Sequence, residues 1–357
     1  MKKLILFIFI FLSSFSIVFA QWSQTNGPNS NVTYVKTLAV SGSYIYAGTA
    51  TNSTSIGIYM STNNGSNWIE INNGLTDLRV NQIITNGSIV YAVTTTKIFV
   101  STDNGTNWTS ISNSIPASYH FYSLYIFGTN LIIGADQGGV FFSSNNGISW
   151  DYRGILSAGP VVVNCFLVSG TNLFAGTTNG IFLSTNNGLT WVNRSNGLLD
   201  QTTYSLVQLG GNLYCGNYGW LSKSTNSGVT WTATSLPTSI VNCIIVSGSN
   251  LIAATQTATI ANTGIFLSTD YGISWMQKNQ GIGYPAPYAL SLAVVNNFIF
   301  AGVSSHAVWR RSLNDILTNI QSVSQKIPSK YYLSQNYPNP FNPTTKINFS
   351  IAKAGFV

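Results

Sequence analysis

Eight carboxylate side chains are all the acid this chain carries, so any acid–base chemistry must be built from few groups. Asp103 and Asp270 each stand third in an eight-residue segment that recurs along the chain; Glu70 and Asp151 follow the Trp of such a segment, and Asp315 lies where the recurrence stops. That leaves Asp77, Asp136 and Asp200. Cleavage of a glycosidic bond asks for two carboxyl groups flanking it, one to protonate the leaving oxygen and one to activate water or to attack. Asp77 and Asp200 form the best pair, each nine residues after its Trp. Yet NNGLTD and SNGLLD are the same repeat segment three units apart, and common ancestry explains them without catalysis. Neither His120 nor His306 has a Ser or Cys partner at a spacing that identifies nucleophilic catalysis. No metal-ligating cluster is expected, and no cofactor.

The elements that position these residues follow from the recurrence. STNNGSNW (Ser61 to Trp68) returns as STDNGTNW, SSNNGISW, STNNGLTW, STNSGVTW and STDYGISW, starting at 101, 143, 184, 224 and 268. A period near forty predicts one four-stranded propeller blade per unit. In the second unit, Val80 to Thr85 reads as a first strand, Ile89 to Thr94 as a second and Ile98 to Ser101 as a third, with a fourth beginning at Trp108. The third position (Asn63, Asp103, Asn145, Asn186, Asn226, Asp270) is suited to accept hydrogen bonds from its own turn. The fifth (Gly65, Gly105, Gly147, Gly188, Gly228, Gly272) supplies a positive φ. The Trp at the eighth (Trp68, Trp108, Trp150, Trp191, Trp231, Trp275) is expected to bury a large apolar face.

Six segments do not mean six blades. Phe298 to Gly302 and Ala307 to Arg311 repeat a blade's second and third strands, whereas Gln21 to Gly27 reads as a fourth strand with nothing before it. Placing the N-terminal strand in the last blade closes a seven-bladed ring and removes its open edges. The fold class expected is therefore all-β, a seven-bladed propeller of four-stranded antiparallel blades over residues 21–315. Superposed first strands give the column Thr37, Gln82, Ser123, Cys165, Ser205, Cys243 and Ser291; second strands give Ala47, Ala92, Gly134, Ala175, Cys215, Ala253 and Ala301. All three Cys thus occupy small-residue positions, and buried free thiols are expected rather than a disulfide.

In such a ring the recurrent turns share one face. The other holds Tyr34, Arg79, His120 and Tyr288, where first strands begin, and Lys97, Asp136, Tyr218 and His306, in second-to-third loops. These types are able to stack on and hydrogen-bond to sugars or peptide groups, and equally to solvate a mouth.

Lys2 and Lys3, the apolar run from Leu4 to about Val18, and Val18-Phe-Ala20 have the form of an export signal over residues 1–20. The run is short for a bilayer span, and no later stretch is long and apolar enough. Charged residues are only 6% of the chain, the texture of an exported β protein. The net charge of +7 becomes +5 without Lys2 and Lys3, and beyond them only Arg310 and Arg311 are adjacent, which argues against nucleic acid.

The turns resemble the Asp-box, or BNR, repeat of sialidases and related propellers over residues 21 to about 315, with Asn replacing the usual Asp at four of six copies. Sialidases would imply three convergent arginines and a Tyr activated by Glu. The mature chain's single glutamate, Glu70, lies on an outer strand, so that activity is not expected. The repeats are also similar to those of Asp-box xyloglucanases, which place their cleft between two propellers, and of photosystem assembly propellers, which bind protein partners without catalysis. After a polar linker (316–330), YPNPFNPTTKINFS resembles the opening of the type IX secretion C-terminal sorting domain (331–357), which implies passage across the outer membrane and the type IX machinery as partner. The family domain continues through more strands, so a truncated fragment is expected. The reading is an exported, noncatalytic propeller at the cell surface or released, binding a polysaccharide or surface protein, with glycoside hydrolase as the alternative.

Overall fold

The computed structural model describes residues 21–317 apart from 29–33, 51–55, 157–158, 237–239, 258–262, 283–287 and 305–307, together with Tyr332–Leu333 and Phe349–Ser350. The chain opens with β1 (Ser23–Gln24). Blade 1 is then β2 (Val35–Ser41), β3 (Tyr44–Thr49), β4 (Ile58–Ser61) and β5 (Ile69–Glu70), antiparallel and adjacent in that order. Five further units repeat the arrangement. The second strand of every blade is an apolar run buried on both faces, because blades flank it on either side. Seven hydrophobic clusters result, each shared by two neighbouring blades. β2 and its counterparts, Val80–Asn86, Phe121–Phe127, Val163–Ser169, Thr203–Leu209, Ile240–Ser247 and Ala289–Val295, ring the axis. Most outermost strands are two residues long, which leaves little edge to recruit another chain.

Blade 7 consists of Ala289–Val295, Phe298–Val303, Val308–Ser312 and β1, with Ser23 opposite Arg310 and Gln24 opposite Trp309. The N-terminal strand thus closes the ring as the sequence predicts. Trp22 does more than fill space. Its indole N–H donates to Lys278 O at 2.7 Å, and Lys278 is the third residue after Trp275. The same donation runs from Trp108 to Ile71, Trp150 to Ile111 and Trp231 to Arg194, each 2.7 Å and each to the third residue after the preceding blade's Trp. Trp22 is therefore the seventh blade's Trp. Trp68 completes the circuit by donating to Thr25 Oγ1, again third after Trp22.

The recurrent turn is built as expected and then goes further. In all six copies the first Ser hydroxyl donates to the third side chain and accepts the Gly N–H, while the third side chain accepts the N–H of the seventh residue. The fourth residue also has a positive φ, including Ser227 (55°) and Tyr271 (58°), so two successive left-handed residues make each turn.

Three expectations are corrected. Uniform burial of the turn tryptophans does not hold: Trp108 and Trp231 are buried, but Trp68, Trp150, Trp191 and Trp275 are half-buried. Gly134 does not belong in the second-strand column. Ile133 faces Leu124 as Ala47 faces Leu38, so blade 3 carries a large residue where its counterparts are small. The ring also extends past 315: Leu313–Leu317 forms a helical turn whose Ile316 is fully buried against the blade 6–7 cluster. The compact unit ends at Leu317. The cysteines are free, Cys215 buried and Cys165 and Cys243 half-buried. Separately, Tyr332–Leu333 pairs antiparallel with Phe349–Ser350; the rest of the expected linker and sorting segment, and the export signal, lie outside the described residues. No helix among the described residues is long and apolar enough to cross a membrane.

Candidate functional site

All seven innermost strands carry a β-bulge at the same place, one residue before the superposed column of Thr37 and its equivalents. The bulged residues are Lys36, Asn81, Tyr122, Asn164, Tyr204, Asn242 and Leu290. A bulge re-aims a side chain that the pleat would otherwise turn away. All seven line a central cavity of about 630 Å³. That volume falls within the ~300–1,000 Å³ usual for small-ligand sites. The lining also holds Leu38, Ile83, Leu124, Phe166, Leu206 and Leu292, alongside Thr37, Gln82, Ser205 and Ser291.

The ring alternates. In blades 2, 4 and 6 the residue is Asn, and its amide donates to the backbone oxygen at the head of the next blade's inner strand: Asn81 to Phe121 (2.7 Å), Asn164 to Thr203 (3.0 Å), Asn242 to Ala289 (2.9 Å). These amides stitch blades together. Blades 1, 3 and 5 present Lys36, Tyr122 and Tyr204.

Among the described residues lining the cavity, Lys36 alone carries a full charge. Its side chain is exposed to the channel, yet desolvation by the surrounding protein, with the Arg79 guanidinium adding to it, lowers its pKa to about 8. Its Nζ donates to Asn81 Oδ1 at 2.7 Å, a neutral partner. Burial likewise raises the Tyr122 and Tyr204 phenols, helped by the nearby carboxylates of Asp136 and Asp200 respectively.

Of the predicted binding residues, Tyr34 lines the cavity and is 40% exposed. Arg79, His120, Tyr218 and Tyr288 are not in the lining; each is held at a blade's rim by a backbone hydrogen bond between the strand head and the same blade's second-to-third loop. The structure brings one predicted pair together: His120 Nδ1 lies 2.7 Å from Asp136 Oδ2, while Asp136 Oδ1 accepts the His120 N–H at 3.1 Å. His306 lies outside the described residues.

Asp77 is used as a turn cap. Its carboxylate accepts the Arg79 N–H (3.0 Å), the Thr96 N–H (2.8 Å) and the Thr96 hydroxyl (2.7 Å). Burial pushes its pKa up, but these donors outweigh burial and hold it below the ordinary value. Asp200 accepts the Thr202 N–H at 2.7 Å in the equivalent turn. Neither lines the cavity. Among the described residues no three His, Cys, Asp or Glu side chains cluster as metal ligands.

Sequence reasoning missed the bulged ring, although the residue before the Thr37 column held it; that column was read for small residues only.

A family model described as the DUF6242 beta propeller domain matches residues 19–160, less than half of the chain. No curated protein matches. Among solved structures, YCF48 from Cyanidioschyzon merolae is similar at 12% identity and a TM-score of 0.61, covering 83% of this chain and 99% of that one. A GH74 xyloglucanase from Xanthomonas campestris is similar at 14% identity and a TM-score of 0.62, covering 83% of this chain and 54% of that one. A GH74 enzyme from Niastella koreensis is similar at 16% identity and a TM-score of 0.58, covering 81% and 44%. The chain thus spans about half the length of these GH74 enzymes. At such identities the likeness shows the fold, an all-β seven-bladed propeller of four-stranded antiparallel blades.

Proposed function

We propose that this chain is an exported propeller that binds an extracellular glycan or protein at the face opposite its recurrent turns, without transforming it. The observation that carries the reading is the bulged ring: seven inner strands each spend a bulge to present a side chain at one cavity. Tyr34, His120 and Asp136 extend that face outward. In this reading the turns are Asp-box, or BNR, repeats that serve the fold, and the tail directs the chain through the type IX machinery to the cell surface or medium. Both Asp77 oxygens and one Asp200 oxygen accept hydrogen bonds within their turns, which favours binding over hydrolysis.

The test presents the purified full chain to polysaccharides and surface proteins and follows both retention and release of reducing ends. Retention that weakens in Tyr34→Ala and His120→Ala supports the reading. Turnover that disappears in Asp77→Asn or Asp200→Asn overturns it in favour of a glycoside hydrolase. The export arm needs a host with the type IX machinery: surface delivery unaffected by deleting 331–357 from the full-length protein refutes the address.

A further inference from the structure

We propose that the channel mouth recognises an acidic glycan, holding the carboxylate of a uronate residue against Lys36 with its pyranose ring beside Tyr34 and Tyr122. The inference rests on the binding reading above and names the ligand chemistry. Lys36 is exposed to the channel and is the one charged side chain among the described lining residues. Lys36 has a neutral amide as its hydrogen-bond partner and Arg79 as its charged neighbour, and no acid is among the described lining residues. The carboxylates of Asp136 and Asp200 lie towards Tyr122 and Tyr204, so the Lys36 side of the mouth is the cationic one, and a ligand carboxylate can meet its ammonium there by a charge-assisted hydrogen bond.

The surroundings favour a sugar as its carrier. Tyr34, Tyr122 and Tyr204 line the same cavity, and aromatic side chains suit the apolar side of a pyranose, while the Asn amides and phenols suit its hydroxyls. Each innermost strand is paired on one side only, to its own blade, so a peptide carboxylate is the competing guest that the titration must separate from a sugar.

Calorimetric titration of the full chain uses three probes: trigalacturonate, neutral galactotriose and N-acetyl-trialanine with a free carboxylate. Trigalacturonate is expected to bind at least tenfold more tightly than galactotriose. Lys36→Met should abolish that preference while leaving the melting temperature near the parent's, since the side chain contacts channel water. Lys36→Arg should retain most of it. Equal affinity for acidic and neutral trimers, or trigalacturonate binding unaltered by Lys36→Met, overturns the inference. Tighter binding of the peptide overturns the glycan assignment. If ligands from the wider screen are retained but the mouth ignores charge, this inference alone falls; if nothing is retained, the binding reading falls with it.

Discussion

Truncating Trp22 should open the ring. The side chain is 2% exposed and packed in the blade 6–7 cluster with Ile265, Leu292 and Trp309. Removing a buried Trp side chain costs about 3–5 kcal/mol. The lost indole bond adds little, because Lys278 O still accepts from Arg311 Nη1 at 3.2 Å. β1 has only two paired residues, and the hydrogen bonds that remain, Trp22 N–H to Gln280 O and Thr25 to Val308 O, lose the buried side chain that anchors them, which loosens the cover over the edge of Val308–Ser312. For a ring of this size the loss corresponds to a fall of roughly 5–8 °C in Tm. The assay is urea unfolding followed by circular dichroism, with light scattering to detect edge association. Trp191→Ala is the control: that indole is half-buried and donates within its own turn, to Gly188 O, so about 1–2.5 kcal/mol is expected. A Trp22→Ala variant that melts like its parent, or costs less than Trp191→Ala, would refute closure by the N-terminal strand.

Gly197→Ala should cost about 2–3 kcal/mol, read by the same unfolding assay, because φ is 88° and the added Cβ would sit 2.2 Å from Trp231 O. The Asp103 carboxyl is held down to about 2 by the Asn107 side chain and N–H and the Ser101 hydroxyl. Its folded pKa is below its unfolded one, so its stabilisation is full above the unfolded value near 4 and fades as pH falls towards 2; the Tm gap between wild type and Asp103→Asn should shrink across that window. Burial raises the thiols of Cys165 to about 12 and Cys243 to about 11, and raises Cys215 as well, so a disulfide-exchange reagent at pH 8 should label all three slowly in the native chain and fully in urea.

Much of the fold was legible because each unit's strands and turn repeat in register, and errors in one copy are corrected by the others. Where a copy departs from its siblings, legibility fails: Ile133 broke the small-residue column, and Ile316, apolar within a polar stretch, was assigned to the linker although burial claims it. The site was less legible. His120 and Asp136 were placed on one face by topology, but their contact depends on loop geometry. A β-bulge has no residue signature of its own, and Lys36, Asn81 and Tyr122 share no chemistry that would mark them as equivalent. Their positions were available from the alignment, whereas their direction was not.

The alternation of Asn with other residues at the bulges has a consequence of parity. Seven is odd, so a two-state pattern cannot return to its start without one repeated state, and the fault falls where blade 7 (Leu290) meets blade 1 (Lys36). Blade 7 is also the one that the N-terminal strand completes. A ring with even alternation would look the same after each two-blade rotation and give a guest several equivalent azimuths. The odd count gives this mouth a single meridian, with an apolar side chain and a cation side by side, so whatever enters along the axis meets one orientation that differs from all the rest.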